Sequence, residues 1–308
     1  MIRFGLCCIF KEHPVKFRRT TAKYLGKFSR AEQLQRLAHL CEVNAKSLLS
    51  ALEFCRENQI GSFRINSQIL PLKTHPQMGY DIYELPGADK IIEAYKACGD
   101  FSKANNIRTT FHPDQFVILC SPNPDVVKKS VAELEYQAQV AEWANADVIN
   151  IHAGGVYNDK PSALRRLVKT IETLPDPVRK RLTLENDDRS YTPQDLLPVC
   201  EQLGTPMVYD VHHHRCVGDE LSIENATEQS IKTWTREPLF HLSSPKDGWG
   251  SPNPRKHHDF IDIRDLPQEW TALDITMEIE AKAKEVAIKK LINDVRRIKK
   301  KQKILSSF

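Results

Sequence analysis

The sequence predicts an α/β fold, a single (β/α)8 TIM-type barrel with its helices outside. The chain has 308 residues, of which 41% are hydrophobic and 27% charged, and one such barrel typically takes about 250 residues. Short apolar runs alternate with longer amphipathic stretches, and no obvious linker divides them, as in folds built on a parallel sheet. A doubly wound sheet is the main alternative, but no G-x-G-x-x-G follows the first run, and we expect no nucleotide cofactor.

Eight apolar runs contain the β-branched and aromatic residues expected of strands that are buried on both faces. These predicted strands cover residues 3–10, 62–66, 109–111, 148–152, 182–185, 207–210, 239–242 and 272–280. The amphipathic stretches predict helices over residues 31–57, 88–105, 125–144, 162–173, 193–203, 223–235 and 281–301. We expect one barrel domain over residues 1–308, in which residues 286–308 form a basic terminal helix and tail.

Several predicted helices have recognisable end signals. Thr192 places a hydroxyl before Pro193 at a first helical position, and Asn123 precedes Pro124 in the same way. Such residues satisfy the free N–H groups of a first helical turn. Gly204 is a plausible end for the helix that begins at Pro193.

Charge and cysteine content exclude several classes of protein. The net charge is only +4, from 44 basic and 40 acidic residues. The longest stretch without a charged residue, 148–158, has eleven residues, whereas a membrane span needs about 20, so we expect no membrane partner. The eight cysteines include no C-x-x-C pair, which favours reduced thiols. The first residues lack signal-peptide features, so we expect a cytoplasmic protein, acting at the nucleoid if its source is prokaryotic.

Basic residues cluster in two segments. Eight of the fifteen residues from 289 to 303 are Lys or Arg, and a second cluster contains Lys16, Arg18, Arg19 and Lys23. Either segment is suited to contact phosphate. Either is equally suited to be a solvated surface.

Histidines and acidic residues fall at or just after the ends of the predicted strands. Active sites of barrels are built at these C-terminal ends, so the side chains would converge on one face. The set has five His, two Glu and one Asp: His112, His152, Glu185, Asp210, His213, His241, His257 and Glu280. Nitrogen and carboxylate ligands without thiolates suit Zn²⁺, Mn²⁺ or a related ion such as Mg²⁺. Eight ligands are too many for one ion and fit two or three, with bridging carboxylates, as in phosphoryl-transfer sites.

Each of these residues also has a structural interpretation. A single strand-end histidine such as His112 or His152 is commonly a hydrogen-bonded structural residue. Glu185 and Glu280 are harder to explain in that way, because a buried carboxylate is costly unless it is paired or bound to a metal. The presence of such a group on nearly every later strand favours metal binding.

Further alternatives are open in two segments: the segment after the sixth strand and the long loop after the seventh. Asp210 and His213 would equally form an ion pair. His258 is the alternative ligand to its neighbour His257. His212 and His214 are expected to project differently from His213, beside the site or toward a substrate.

Six segments resemble the UV damage endonuclease family, in the same order along the chain. They are HPDQF at 112–116, NIHAGG at 150–155, LENDD at 184–188, DVHHH at 210–214, HLSSPK at 241–246 and EAK at 280–282. The resemblance implies a barrel that cuts the DNA backbone immediately 5′ to a photolesion with a cluster of divalent ions, often manganese. It also implies a fold similar to that of endonuclease-IV-type enzymes, which act at abasic sites. By position, the implied metal ligands are the eight strand-end residues.

The resemblance also implies a pair of residues that act as a wedge in the duplex. At three positions the chain departs from the family's usual pattern. Gln115 and Phe116 match a pair that the family inserts into the duplex opposite the lesion, and a planar apolar ring suits the gap left by extruded bases. The apolar pattern alone would place Phe116 in the core. Leu6 and Phe10 stand where the family usually has a Tyr and an Asn near the scissile phosphate. Leu239 stands where the family often has a lysine that is carboxylated and bridges two metals.

We therefore expect metal-assisted hydrolysis of a phosphodiester in double-stranded, damaged DNA by a monomer. One ion would activate a water, and others would stabilise charge on the phosphoryl oxygens and on the departing 3′ oxygen. The expected catalytic residues are Glu185, His241 and Lys246. The expected DNA contacts are Gln115, Phe116, Arg64, Asn66, Arg255 and Lys256.

Two other functions fit the same residues. A sugar isomerase or epimerase of the xylose-isomerase-like kind also gathers Glu, Asp and His around divalent ions, in a closed pocket for small polyols. A lesion-binding protein without catalysis would account for Leu6, Phe10 and Leu239. The many histidines, the wedge pair and the basic segments favour the nuclease, whose lesion would be a photodimer, an abasic site or another form of damage.

Overall fold

The computed structural model describes residues 2–305, and the eight strands within this range close into one parallel barrel. The strand order around the barrel follows the order along the chain, and the last strand pairs with the first. The predicted (β/α)8 fold is confirmed. The strands are β1 (Arg3–Cys7), β2 (Ser62–Ile65), β3 (Arg108–Phe111), β4 (Ala146–His152), β5 (Leu182–Glu185), β6 (Met207–Asp210), β7 (Leu239–Leu242) and β8 (Thr276–Ile279).

Helices surround the barrel and contribute their apolar residues to the main core. The predicted end signals act as expected: the Asn123 side chain accepts a hydrogen bond from the backbone N–H of Asp125, and Gly204 takes the left-handed conformation with φ 60°. Within residues 2–305 the α-helices are α1 (Ala22–Leu25), α2 (Arg30–Glu57), α3 (Ala88–Ala104), α4 (Pro124–Ala144), α5 (Lys160–Glu172), α6 (Asp176–Arg179), α7 (Pro193–Leu203), α8 (Val211–Val217), α9 (Ile223–Lys232) and α10 (Lys284–Leu305).

The structure corrects the predicted bounds of two strands by three residues or more. β1 ends at Cys7 instead of residue 10, because Cys8 adopts a positive φ of 65° and turns the chain away from the sheet. β8 begins at Thr276 instead of residue 272, because Gln268–Ala272 form a 3₁₀ helix that buries Trp270. The sequence pattern also misses α8, whose seven residues are too few to show a helical period.

The terminal helix begins at Lys284, after residue 281 where the pattern predicts its start. Residues 306–308 of the predicted basic tail lie outside the described range. No helix between residues 2 and 305 is long and apolar enough to cross a membrane.

The strand register brings the predicted site residues to one level of the barrel. His152 is paired with Glu185 across β4 and β5, and Asp210 is paired with His241 across β6 and β7. All these strands are parallel, so these residues lie at the same end. Further from that end, a separate apolar cluster of Val148, Val208, Trp234 and Leu239 packs together.

Gly99 lies at a close approach between α3 and α4. A Cβ atom at this position would collide with the backbone carbonyl of Trp143 and lie 3.1 Å from the carbonyl carbon of Ala144. We expect Gly99→Ala to lower the free energy of unfolding by roughly 1–3 kcal/mol, the usual cost of overpacking. The overpacking outweighs the preference of a helix for alanine over glycine, about 1 kcal/mol.

Denaturant unfolding measures this change. Ala97→Gly, at an exposed position of the same helix, is the reference for helix propensity alone and should cost about 1 kcal/mol. A Gly99→Ala protein as stable as the unsubstituted chain would show that α3 and α4 separate without cost.

Candidate metal centre

Seven of the eight predicted ligands meet at the C-terminal end of the barrel. They form three overlapping groups in which one ligand atom of each residue lies within 4.8 Å of the others. The groups are His112 with His152 and Glu185, His112 with His241 and Glu280, and Glu185 with Asp210 and His213. Residues as far apart in the sequence as His112 and Glu280 therefore share one site, as the strand-end pattern predicts.

Glu185 is the carboxylate that links the groups. It is fully buried at the end of β5. One oxygen, Oε2, lies 2.9 Å from His112 Nε2, and the other, Oε1, lies 3.0 Å from His241 Nδ1 and 3.3 Å from His213 Nδ1. A carboxylate that faces different histidines with its two oxygens has the geometry of a bridging ligand.

The first group has imidazoles oriented for metal binding. His112 Nδ1 donates to the backbone carbonyl of Pro113 at 3.1 Å, and Nε2 is the nitrogen that faces Glu185. Such a hydrogen bond fixes the tautomer of a ligating histidine. The His152 ring lies 5.1 Å from that of His112, and His152 Nδ1 is buried without a hydrogen-bond partner among residues 2–305.

Three carboxylates surround one nitrogen of His241. Nδ1 lies 3.0 Å from Glu185 Oε1, 3.6 Å from Glu280 Oε1 and 3.9 Å from Asp210 Oδ2. Asp210 ends β6 and caps α8, since its Oδ1 accepts the backbone N–H of His213 at 2.8 Å. Its other oxygen is buried and finds no hydrogen-bond partner within the described part of the chain. Oxygen and nitrogen atoms directed at one point, with a buried oxygen left unpaired, fit a divalent ion.

His257 completes the set at the rim. Its Nδ1 lies 3.7 Å from Glu280 Oε2, and its ring lies 6.3 Å from that of His213. The adjacent His258 instead directs Nδ1 at the backbone of Phe260. The geometry therefore favours His257 over His258 as a ligand.

The charges of the centre stabilise one another. Burial by itself would raise the pKa of Glu185, but the nearby His241 and His152 hold it well below its usual range. Burial by itself would lower the pKa of His241, but the Glu185 carboxylate raises it to about 10. The proton on His241 supplies positive charge that a divalent cation would supply in its place.

Two buried amides complete the centre, and neither was predicted from the sequence. Asn150 donates to Glu185 Oε2 and accepts the hydroxyl of Thr183 at 2.9 Å. Asn186 links the ends of β5 and β6, because its side chain exchanges hydrogen bonds of 2.8 and 2.9 Å with the backbone of Asp210. Asn150 lies two residues before His152 on β4 and therefore on the same face, a pattern that would have revealed it.

The predicted DNA contacts lie in different surroundings. Gln115 and Phe116 are exposed on the loop after β3, and Phe116 is 77% exposed instead of lying in the core. Asn66, Arg255 and Lys256 line a cavity of about 610 Å³ that reaches the candidate metal ligands.

The same cavity contains three further basic residues, of which the first belongs to the basic cluster predicted to suit phosphate and the other two were not predicted. They are Arg19 on the loop after β1 and Lys282 and Lys284 after β8. Lys284 and Cys8, on the same wall, both adopt a positive φ, a strained conformation that is often found at functional sites.

Two predicted residues have other surroundings. Arg64 lines the same cavity but is only 7% exposed, because its guanidinium pairs with Glu278 and Glu280 inside the barrel. Lys246 is exposed and lines a second cavity, of about 1140 Å³, together with Trp249. The backbone N–H of Lys246 bonds to the carbonyl of Lys256, and this pairing folds the long loop so that the two lysines line different cavities.

Comparison with known proteins identifies the family to which this fold and site belong. A family model described as UV-endonuclease UvdE matches residues 2–307. The chain belongs to the UV-endonuclease UvdE family. It is 34% identical to a UV DNA damage endonuclease of Bacillus velezensis, over 97% of this chain and 95% of that protein.

Superposition on solved structures supports the assignment to the UvdE family. SacUVDE superposes with a TM-score of 0.84 at 27% identity and covers 97% of this chain and 99% of that one. Endonuclease IV from Thermus thermophilus superposes with a TM-score of 0.61 at 15% identity over 96% of this chain and 98% of that one, which shows the fold alone. Family membership favours the nuclease over the sugar enzyme and the lesion-binding protein.

Leu6, Phe10 and Leu239, the three residues expected to depart from the usual UvdE pattern, all lie in apolar surroundings. Leu6 is fully buried in the main core. Phe10 packs against Phe54 with ring centroids 5.1 Å apart and contacts Phe63. Leu239 belongs to the apolar cluster inside the barrel. All three side chains therefore make apolar contacts.

The charges of the centre predict how metal binding depends on pH. The pKa of His241 is raised to about 10, so His241 keeps its proton at neutral pH and must lose it to bind Mn²⁺. Each displaced proton makes the apparent Kd for Mn²⁺ fall about tenfold per pH unit below that pKa. We expect Mn²⁺ affinity to rise steeply between about pH 6 and about pH 8.

Calorimetric titration of chelator-treated protein with Mn²⁺ checks this slope. His241→Gln removes one titrating ligand and should flatten the dependence as well as weaken binding. Affinity that is independent of pH would show that His241 is not a ligand.

Proposed function

We propose that this chain is a divalent-metal-dependent endonuclease that hydrolyses the backbone of double-stranded DNA immediately 5′ to a UV photolesion. The observation that supports it most is the convergence of His112, His152, Asp210, His213, His241 and Glu280 around the buried Glu185 in a member of the UvdE family. The relative from Bacillus velezensis is named a UV DNA damage endonuclease. We further propose two or three ions, with Mn²⁺ as the native metal, and a monomeric enzyme.

The residues of the centre would hold the ions and their surroundings in place. Bound divalent ions supply Lewis-acid stabilisation of the phosphoryl oxygens and an activated water. Glu185 is placed to bridge, since its two oxygens face different histidines. Asn150 keeps that carboxylate oriented through its own bond to Thr183. Such supporting bonds fix ligand geometry before the substrate binds.

The basic cavity would orient the DNA backbone over the metal centre. Arg19, Lys256, Lys282 and Lys284 line it beside His112 and Glu280. Lysine and arginine contacts to phosphate set the register of a protein on a duplex without reading sequence. This arrangement suits a scissile phosphate that is selected by its position relative to a lesion.

The exposed loop after β3 would open the duplex. Phe116 is 77% exposed, and the neighbouring Gln115 is also exposed. Exposing a phenyl ring to water is unfavourable, and insertion between base steps would bury it. The lesion would weaken stacking and reduce the cost of this insertion.

Removal of the bridging carboxylate should abolish cleavage. We expect Glu185→Gln, or treatment with EDTA, to lower Mn²⁺-dependent nicking of UV-irradiated plasmid by roughly 1000-fold or more, because each 1.4 kcal/mol of lost stabilisation is about a factor of ten. Glu237→Gln is the control, since Glu237 pairs with Arg3, a residue of β1 at the far end of the barrel. Nicking that survives both chelation and Glu185→Gln would contradict the proposal.

Loss of the aromatic ring should weaken recognition without affecting the ions. We expect Phe116→Ala to lower kcat/KM on a photodimer duplex by roughly tenfold to hundredfold, the range of one base-stacking contact. Phe116→Tyr keeps the ring and should keep the activity. Duplexes with a cyclobutane dimer, a 6-4 product, an abasic site or no damage give the lesion preference. Equal activity of Phe116→Ala and the unsubstituted chain would exclude a wedge.

A further inference from the structure

A second carboxylate, Glu278, lies beneath the candidate metal centre. It is 1% exposed, in β8, two residues before Glu280. The hydroxyl of Thr110 donates to Oε1, and Arg64 donates to Oε2 from Nε at 2.5 Å. Glu278 is not one of the strand-end ligands, and the proposed hydrolysis does not use it as a ligand.

The barrel interior is shaped to hold this charge. Gly5 on β1 lies opposite Glu278, and a Cβ atom at residue 5 would lie 2.9 Å from Glu278 Cγ. A buried carboxylate is costly unless it is paired and hydrogen-bonded, and here Arg64 and Thr110 provide both. Burial by itself would raise the pKa of Glu278, but Arg64 lowers it to about 2.

Glu278 and Arg64 both face the inner nitrogen of His241. Nε2 of His241 lies 3.3 Å from Glu278 Oε2 and 2.8 Å from Arg64 Nη2. Its outer nitrogen, Nδ1, faces the oxygens of Glu185, Asp210 and Glu280. Once His241 has lost one of its two ring protons, the position of the other decides whether Nδ1 has a lone pair for a cation.

The two inner neighbours make opposite demands on that proton. A guanidinium only donates hydrogen bonds, so Arg64 alone favours a lone pair on Nε2 and a proton on Nδ1, which blocks the site. An ionised carboxylate only accepts, so Glu278 favours the proton on Nε2 and leaves Nδ1 free. Glu278 also accepts from Nε and Nη2 of Arg64, so Nη2 is shared between Glu278 and His241.

We propose that Glu278 is a positioning residue that fixes the tautomer of His241 and so prepares Nδ1 to bind a divalent ion. This inference rests on the proposed metal-dependent function. Carboxylate–histidine–metal arrangements of this kind raise the basicity of the ligand and fix its ring, and their loss typically costs about 10–100-fold in metal affinity.

Mn²⁺ titration of the chelator-treated chain, without DNA, tests the proposal. Glu278→Gln should weaken Mn²⁺ binding about 10–100-fold. Glu237→Gln is a matched control, because Glu237 also accepts from an arginine Nε, that of Arg3 at 2.8 Å, and from a threonine hydroxyl, that of Thr276 at 2.6 Å. The control should bind Mn²⁺ like the unsubstituted chain.

A second measurement uses the chain with Glu278 in place, and it separates a positioning role of Glu278 from an effect of its substitution on folding. In the Zn²⁺-loaded chain with ¹⁵N-labelled histidine, the His241 resonances, assigned by their absence in His241→Gln, should show a proton on Nε2. The thermal midpoints of Glu278→Gln and Glu237→Gln show whether both fold. If Glu278→Gln does not fold, the ring proton in the unsubstituted chain decides.

The outcomes distinguish this inference from the proposed function. Unchanged Mn²⁺ affinity in Glu278→Gln, an equal loss in both variants, or a proton on Nδ1 would overturn the role of Glu278 while leaving the nuclease intact. An unsubstituted chain that binds no Mn²⁺ would overturn the metal centre itself.

Discussion

The centre depends on keeping Glu185 ionised where no water reaches it. A bare carboxylate in that position would be too costly to bury. The structure offsets the cost with the amide of Asn150 on one oxygen and imidazole nitrogens on both. The same contacts leave His112 and His241 directed inward, so stabilising the charge and assembling the ligand set are one event.

Strand register makes this assembly possible. Side chains alternate along a strand, so a slip of one residue would turn every inward group outward. Along the barrel interior, the inward positions form layers: the apolar cluster with Val148 and Leu239, then the ionic layer of Arg64 and Glu278, then the candidate ligands. From the apolar cluster onward, polarity therefore increases toward the open end, where a charged phosphate backbone would bind.

The sequence predicts the convergence of the candidate ligands because their signal is positional. An acidic residue or a histidine that ends an apolar run, repeated strand after strand, has few structural explanations, and the predicted bounds of β5, β6 and β7 agree with the structure. Glu278 and Arg64 give no such signal. Both lie within their strands, and only the register between β7 and β8 shows that Glu278 stands beside His241.

Loop residues were harder to predict for a different reason. Phe116 precedes Val117 in an apolar run that is typical of a core, and its exposure follows from the path of the loop. Lys246 and Lys256 are equivalent in sequence terms, but the backbone pairing between them places them on different cavities. Local pattern does not encode such a pairing, which forms between residues on either side of a Gly- and Pro-rich segment.

The apolar side chains of Leu6 and Phe10 bear on how the proposed enzyme would distinguish damaged DNA from intact DNA. Leu6 is buried in the core and Phe10 packs on other rings, so neither offers a hydrogen bond to a lesion or a phosphate. The basic residues of the cavity would bind any phosphate backbone, since such contacts are the same for damaged and intact strands. Discrimination in the proposed enzyme then rests on the energy of opening the duplex around Phe116. That energy is lower where a lesion has already weakened pairing and stacking.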